Sequence, residues 1–152
     1  MVFLKALFDN YILICAAIGY AIAQLLKLII FTFRSGKLQI GVLVSSGGMP
    51  SSHSATVAAM TTAVGRVYGV SSPLFAISLV VALVVMYDAT GVRRETGEQA
   101  KLLNILVEDL KTRENREVTR RHFKELVGHT PIQVLAGAAL GIVIPYIYAS
   151  GA

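Results

Sequence analysis

Residues 6–33 read ALFDNYILICAAIGYAIAQLLKLIIFTF, an apolar run interrupted by Asp9, Asn10, Gln24 and Lys27. About 20 consecutive apolar residues suffice to cross the hydrocarbon core of a bilayer, which is about 30 Å thick. The run therefore predicts a spanning helix over about residues 8–33, with its cationic end reaching an interface. The N-terminus has no basic start and no small-residue cleavage site soon after the run. The segment is accordingly expected to be retained, not removed as a signal.

The rest of the composition points the same way. At 152 residues the chain has room for one domain, 1–152, and 55% hydrophobic residues against 15% charged is too apolar for an ordinary soluble protein. The mean hydropathy of +0.65 agrees. Cys15 is the one cysteine, so a disulfide framework and a thiolate metal cluster within the chain are both excluded. The histidines do not cluster with it. No metal, cofactor or nucleic-acid partner is expected.

Further along, residues 35–50 form a Gly/Ser-rich loop, and 51–69 a weakly hydrophobic helix of Ala, Thr, Val and Met. Such a helix belongs inside a bundle, where small side chains permit close backbone approach. Residues 73–92 and 130–148 supply two more apolar helices, the last with Gly137-x-x-x-Gly141 and a kink expected at Pro145. Between them the hydrophilic segment 93–128 places Leu102, Leu103, Leu106 and Leu110 on one helical face, with Lys101, Glu108, Asp109 and Lys111 mostly away from it. That predicts an interfacial or bundle-capping amphipathic helix. The expected fold is an all-α integral membrane bundle of about four spans plus this cytoplasmic helix. Of the 14 Lys and Arg residues, all but Lys5 and Arg66 fall on one side of such a bundle. Basic loops stay in the cytoplasm, so the reading is a multi-pass cell-membrane protein with both termini outside. Four helices make a thin wall around a polar site, and a homodimer is expected.

The chemistry centres on Gly47-Gly48-Met49-Pro50-Ser51-Ser52-His53-Ser54. Glycines permit a tight backbone, proline suits a first helical turn, and unpaired amides at a helix start attract anions. Ser51 and Ser52 are candidate phosphate ligands, and His53 sits where it can move a proton. An N-cap with a partly buried histidine is the competing reading of this octet. The other helix ends bring Lys27, Arg34, Asp88, Arg93, Arg94 and His129 to the same face. Each has a structural alternative: Lys27 as a snorkelling anchor, Arg93 and Arg94 as topology signals, Asp88 in a salt bridge to either arginine, and His129 as a cap. Together they predict one basic, histidine-bearing site.

Lys27-x6-Arg34, Pro50-Ser51-Ser52-His53 and His129-Thr130-Pro131-Ile132-Gln133-Val134-Leu135-Ala136-Gly137 resemble, in order, the three signature blocks of the type 2 phosphatidic acid phosphatase and vanadium haloperoxidase superfamily. Those blocks are K-x6-R-P, P-S-G-H and S-R-x5-H-x3-D. The run from Asp88 through Arg94 is similar to the divergent bacterial and plastid branch. The resemblance implies that His129 attacks phosphorus, that His53 protonates the leaving group, and that Lys27 and Arg34 hold phosphate oxygens. The location of the site, at the cytoplasmic headgroup level among Lys and Arg, predicts an anionic lipid phosphate as substrate, met among the membrane lipids: phosphatidylglycerophosphate, phosphatidate, or a polyprenyl phosphate or diphosphate.

Four positions depart from the pattern. Ser35 replaces a proline, Ser52 a glycine, Phe123 an arginine, and Gln133 the aspartate that orients the nucleophilic histidine. A neutral amide fixes a tautomer but does not stabilise an imidazolium as a carboxylate does. Asp88 is a candidate source of that charge, and Arg93 or Arg94 of the missing phosphate ligand.

Overall fold

Asn10 decides where the first long helix begins. In a computed structural model, which describes residues 2–44, 48–114 and 128–148, its Oδ1 accepts from the amides of Ile12 and Leu13, each at 3.1 Å. A short polar side chain that bonds nearby amides stops one helix and caps the next. The apolar run is thus divided into α1 (Val2–Phe8) and the 25-residue α2 (Tyr11–Ser35), which Gly36 terminates with a φ of 66°. At 1.5 Å per residue α2 is about 37 Å long, enough to cross a bilayer.

A 3₁₀ turn (Ile40–Val44) precedes α3 (Ser52–Tyr68), α4 (Pro73–Thr90), α5 (Val92–Glu114) and α6 (Pro131–Ile147). Every described element is helical. The starts of α3, α4 and α6 share one device, a hydroxyl that accepts from an amide three residues on: Ser51 to Ser54, Ser72 to Phe75, and Thr130 to Gln133. Pro73 and Pro131 occupy first-turn positions, where no amide is needed.

The weakly hydrophobic α3 is the centre of the bundle, packed against α2, α4 and α6. Its inward faces are Ala55, Ala58, Ala59, Ala63 and Val64. Glycines on the neighbours bring the backbones together. A Cβ at Gly19 would lie 2.9 Å from the Ala55 carbonyl oxygen, and one at Gly137 or Gly141 would collide with the carbonyls of Ser51 and Ala55. The Gly137-x-x-x-Gly141 pair is therefore a packing motif, as small residues at membrane helix interfaces commonly are.

The outer surface is apolar. On α4 only Ser78, Ala82 and Ala89 are buried, while Leu74, Ile77, Val80, Leu83 and Val84 are exposed. So continuous a patch is foreign to a water-soluble monomer and suits hydrocarbon. Two stretches, Tyr11–Ser35 and Pro73–Val107, are long and apolar enough to cross a membrane; α6 is a shorter apolar helix.

One boundary and one packing arrangement differ from expectation. The third apolar helix ends at Thr90, because Gly91 breaks the path between α4 and α5. Helix α5 does not cap the bundle: among the described elements it packs against α4 alone, with Leu102, Leu103 and Leu106 exposed. The side chain of Leu110 lies outside the described residues, as do those of Glu108, Asp109 and Lys111.

Candidate functional site

Backbone hydrogen bonds tie three helix ends together. The amide of Ser51, at the start of α3, donates to the Gln133 carbonyl in the first turn of α6 at 3.0 Å. The amide of His129 donates to the Ala89 carbonyl near the end of α4 at 2.9 Å. These bonds bring His53 and His129 to one place, with ring centroids 6.3 Å apart and planes inclined by 61°.

His129 is set by the helix it precedes. Thr130 and Gln133 form a reciprocal capping box, in which Gln133 Oε1 accepts from the Thr130 amide at 3.1 Å. The same oxygen lies 3.2 Å from His129 Nδ1. Because the Thr130 N–H requires an acceptor, the amide is oriented with oxygen toward both groups, and Nδ1 must carry the proton. The Nε2 lone pair is left for chemistry. It is buried and has no hydrogen-bond partner among the described residues.

Burial also sets the ring's charge. His129 is 3% exposed, and its pKa lies below the ordinary histidine value chiefly because the charged form is desolvated. The positive charges of Lys27 and His53 push the same way, while Gln133 and the Gly48 backbone oppose. The result is a neutral imidazole near pH 7, the state in which a histidine is a nucleophile.

Lys27 and Arg34 are seven residues apart, two turns on one face of α2. Both line a cavity of about 470 Å³ together with Gln39, Gly48 and Gln133, and with Ile30, Phe31, Val42 and Met49 as its apolar wall. Lys27 is 2% exposed, so it faces this cavity and does not snorkel to the surface. Its stem runs beside Gly48, where a Cβ would lie 3.1 Å from Lys27 Cγ, and the φ of 105° there also favours glycine. His53 and His129 do not line the cavity; Gln133 and Gly48 line it and also meet His129.

The remaining candidates fall as follows. Ser51 is fully buried, with its amide bonded to Gln133 and its Oγ accepting from the Ser54 amide and hydroxyl. It serves as the helix cap, the competing reading of the octet. Ser52 is buried in the first turn of α3. Asp88 is half-buried, one residue before the carbonyl that accepts from His129; the partner of His129 Nδ1 is Gln133. The side chains of Arg93 and Arg94 lie outside the described residues, and so does Phe123.

Sequence reasoning set Gln133 beside the histidine but missed that the same side chain caps α6. The signal was present, since Thr130-x-x-Gln133 has the capping-box spacing. It also missed the seating of Gly48 on Lys27, which no local pattern announces.

The family model described as the divergent PAP2 family matches residues 8–144. The chain is 40% identical to the uncharacterized membrane protein YuiD of Bacillus subtilis (strain 168), over 94% of this chain and 96% of that one. No solved structure matches. With its signature positions gathered at the ends of α2, α3, α4 and α6, and with a family match over nearly its whole length, the chain is a membrane protein of the divergent PAP2 family.

Proposed function

We propose that the protein is a metal-independent lipid phosphate phosphatase that works through a phosphohistidine at His129. The observation that carries this reading is the buried His129, held at Nδ1 by Gln133, with Nε2 making no hydrogen bond among the described residues and its ring 6.3 Å from that of His53. One tetrahedral phosphorus within about 3 Å of each ring requires such a separation.

In the first step Nε2 attacks phosphorus, forming the N–P bond as the bond from phosphorus to the leaving alcohol oxygen breaks. His53 gives its proton to that oxygen. Water then attacks the phosphohistidine, passing a proton to His53, and the N–P bond breaks to release inorganic phosphate. Lys27 and Arg34 hold the equatorial oxygens, where charge grows in the transition state. The apolar wall formed by Ile30, Phe31, Val42 and Met49 suits the first carbons of a lipid.

Helices α2, α3, α4 and α6 are read as four spans, with the site at the cytoplasmic headgroup level and both termini outside. Anionic lipids would reach the cationic site by lateral diffusion. Among the candidates phosphatidylglycerophosphate fits best, because its phosphate is presented on that face. A cysteine placed at Lys37 should then react with an impermeant reagent from the cytoplasmic side only.

A second reading keeps the bundle and the anion cavity without catalysis. Two observations favour it: His129 is absent from the lining of the Lys27 cavity, and Gln133 is neutral. Phosphate release from micellar phosphatidylglycerophosphate, phosphatidate and a polyprenyl diphosphate separates the two readings. Turnover by the parent that both His129→Ala and His53→Ala abolish supports the phosphatase. Binding of these lipids without release, in parent and variants alike, supports the second reading.

A further inference from the structure

A groove of about 410 Å³ runs along the flank of the bundle, away from the histidines. Helix α3 is its floor, through Ala58, Thr61, Thr62 and Gly65, and α4 and α6 are its walls. From Ala58 to Arg66 the floor is about 12 Å long, near half the thickness of a bilayer core of about 30 Å. The groove is one leaflet deep.

Its ends differ. Around Arg66 stand Tyr11, Tyr146 and Tyr148: the Arg66 guanidinium donates to Tyr11 Oη at 3.1 Å and lies 5.0 Å from the centre of the Tyr146 ring, and Tyr11 stacks on Tyr148. Tyrosines gather at the membrane–water interface, so this is the wet end. Arg66 is exposed, and among the described residues no carboxylate pairs with it. A guanidinium has five N–H donors in a fork that matches phosphate, and Tyr11 takes only one.

A cation at headgroup height above an apolar groove of leaflet depth has a complement in the membrane itself. We propose that the α3/α4/α6 groove holds one acyl chain of an anionic phospholipid whose phosphate is bound by Arg66. His53 and Arg66 stand at opposite ends of α3, about 20 Å apart. This site does not rest on the phosphatase reading.

The test uses the full chain reconstituted in phosphatidylcholine vesicles, with phosphatidylglycerol spin-labelled near the end of one acyl chain. The parent should immobilise this lipid in preference to equally labelled phosphatidylcholine by about fivefold, the worth of one interfacial cation. Arg66→Gln, a change at an exposed position, should reduce the preference to about one with helicity unchanged. Ala138→Phe, which fills the groove and leaves Arg66 in place, should do the same. A preference that survives either variant, or none in the parent, overturns the proposal. So does a disulfide between copies formed through Leu79→Cys in lipid-saturated vesicles, which would put a second chain in the groove.

Discussion

His129 Nδ1 lies 3.2 Å from Gln133 Oε1, an oxygen already fixed by the Thr130 amide, so a helix cap dictates which nitrogen of the histidine is free. The superfamily pattern that the chain resembles has an aspartate at that position. The amide keeps the orientation and gives up the charge.

Gln133→Glu should therefore restore the charge without moving the ring. Its carboxylate accepts from the same two donors, and His129 should titrate higher by NMR, with a faster phosphate release in the phosphatase reading. Gln133→Leu removes the acceptor and should lower the rate about 10- to 100-fold, the usual cost of losing an orienting partner. Equal rates for parent, Glu and Leu variants would show that Gln133 does not set the histidine.

The buried imidazole also makes stability depend on pH. Its folded pKa is below the unfolded value of about 6.5, so between the two the unfolded chain binds more protons. The neutral-state stabilisation is complete above about pH 6.5 and is lost as pH falls toward the folded value. Thermal unfolding in detergent should show a steeper loss of Tm from pH 7 to pH 5 for the parent than for His129→Gln. Parallel curves would contradict the assignment.

Packing around α3 gives a third expectation. Gly137→Ala and Gly141→Ala drive a methyl group into the carbonyls of Ser51 and Ala55, and each should destabilise by about 1–3 kcal/mol. Gly41→Ala, which meets nothing within 4 Å, should stay within about 0.5 kcal/mol. Unfolding of the three variants side by side checks this, and equal stabilities would remove the clamp on α3.

Much of this architecture could be read from residue order alone. Apolar runs and Ser/Thr-Pro starts located the long helices to within a few residues, because hydrophobic length and capping are local. The division at Asn10 was less visible, since a single polar pair inside an apolar stretch reads equally well as an interruption or a cap. The placement of α5 was not legible: a leucine face says that a partner is needed, not which one. At the site, Lys27, Arg34, His53 and His129 were named from their places at helix ends and from the family resemblance, and the caps at Ser51 and Gln133 are local, but the bond from the Ser51 amide to the Gln133 carbonyl joins α3 to α6. Such contacts have no period in the chain.

Lys27 offers a fourth test. It is buried against Gly48 in the cavity it shares with Arg34, so Lys27→Met preserves the packing and removes the charge. Affinity for vanadate, a mimic of pentacoordinate phosphorus, should fall with phosphate release, the latter by about 100- to 1,000-fold, as for loss of one donor to a transition-state oxyanion. Unchanged vanadate inhibition would take Lys27 out of the phosphate site.

The central claim is that His129 Nε2 becomes bonded to phosphorus. Rapid alkaline quenching of the protein during turnover of a lipid phosphate, followed by mass spectrometry of the peptide carrying His129, tests this directly. A phosphoryl group on His129, labile to acid and missing from His129→Ala, is the predicted result. Phosphate release that proceeds with no phosphorylated His129 peptide, or that persists in His129→Ala, would contradict it.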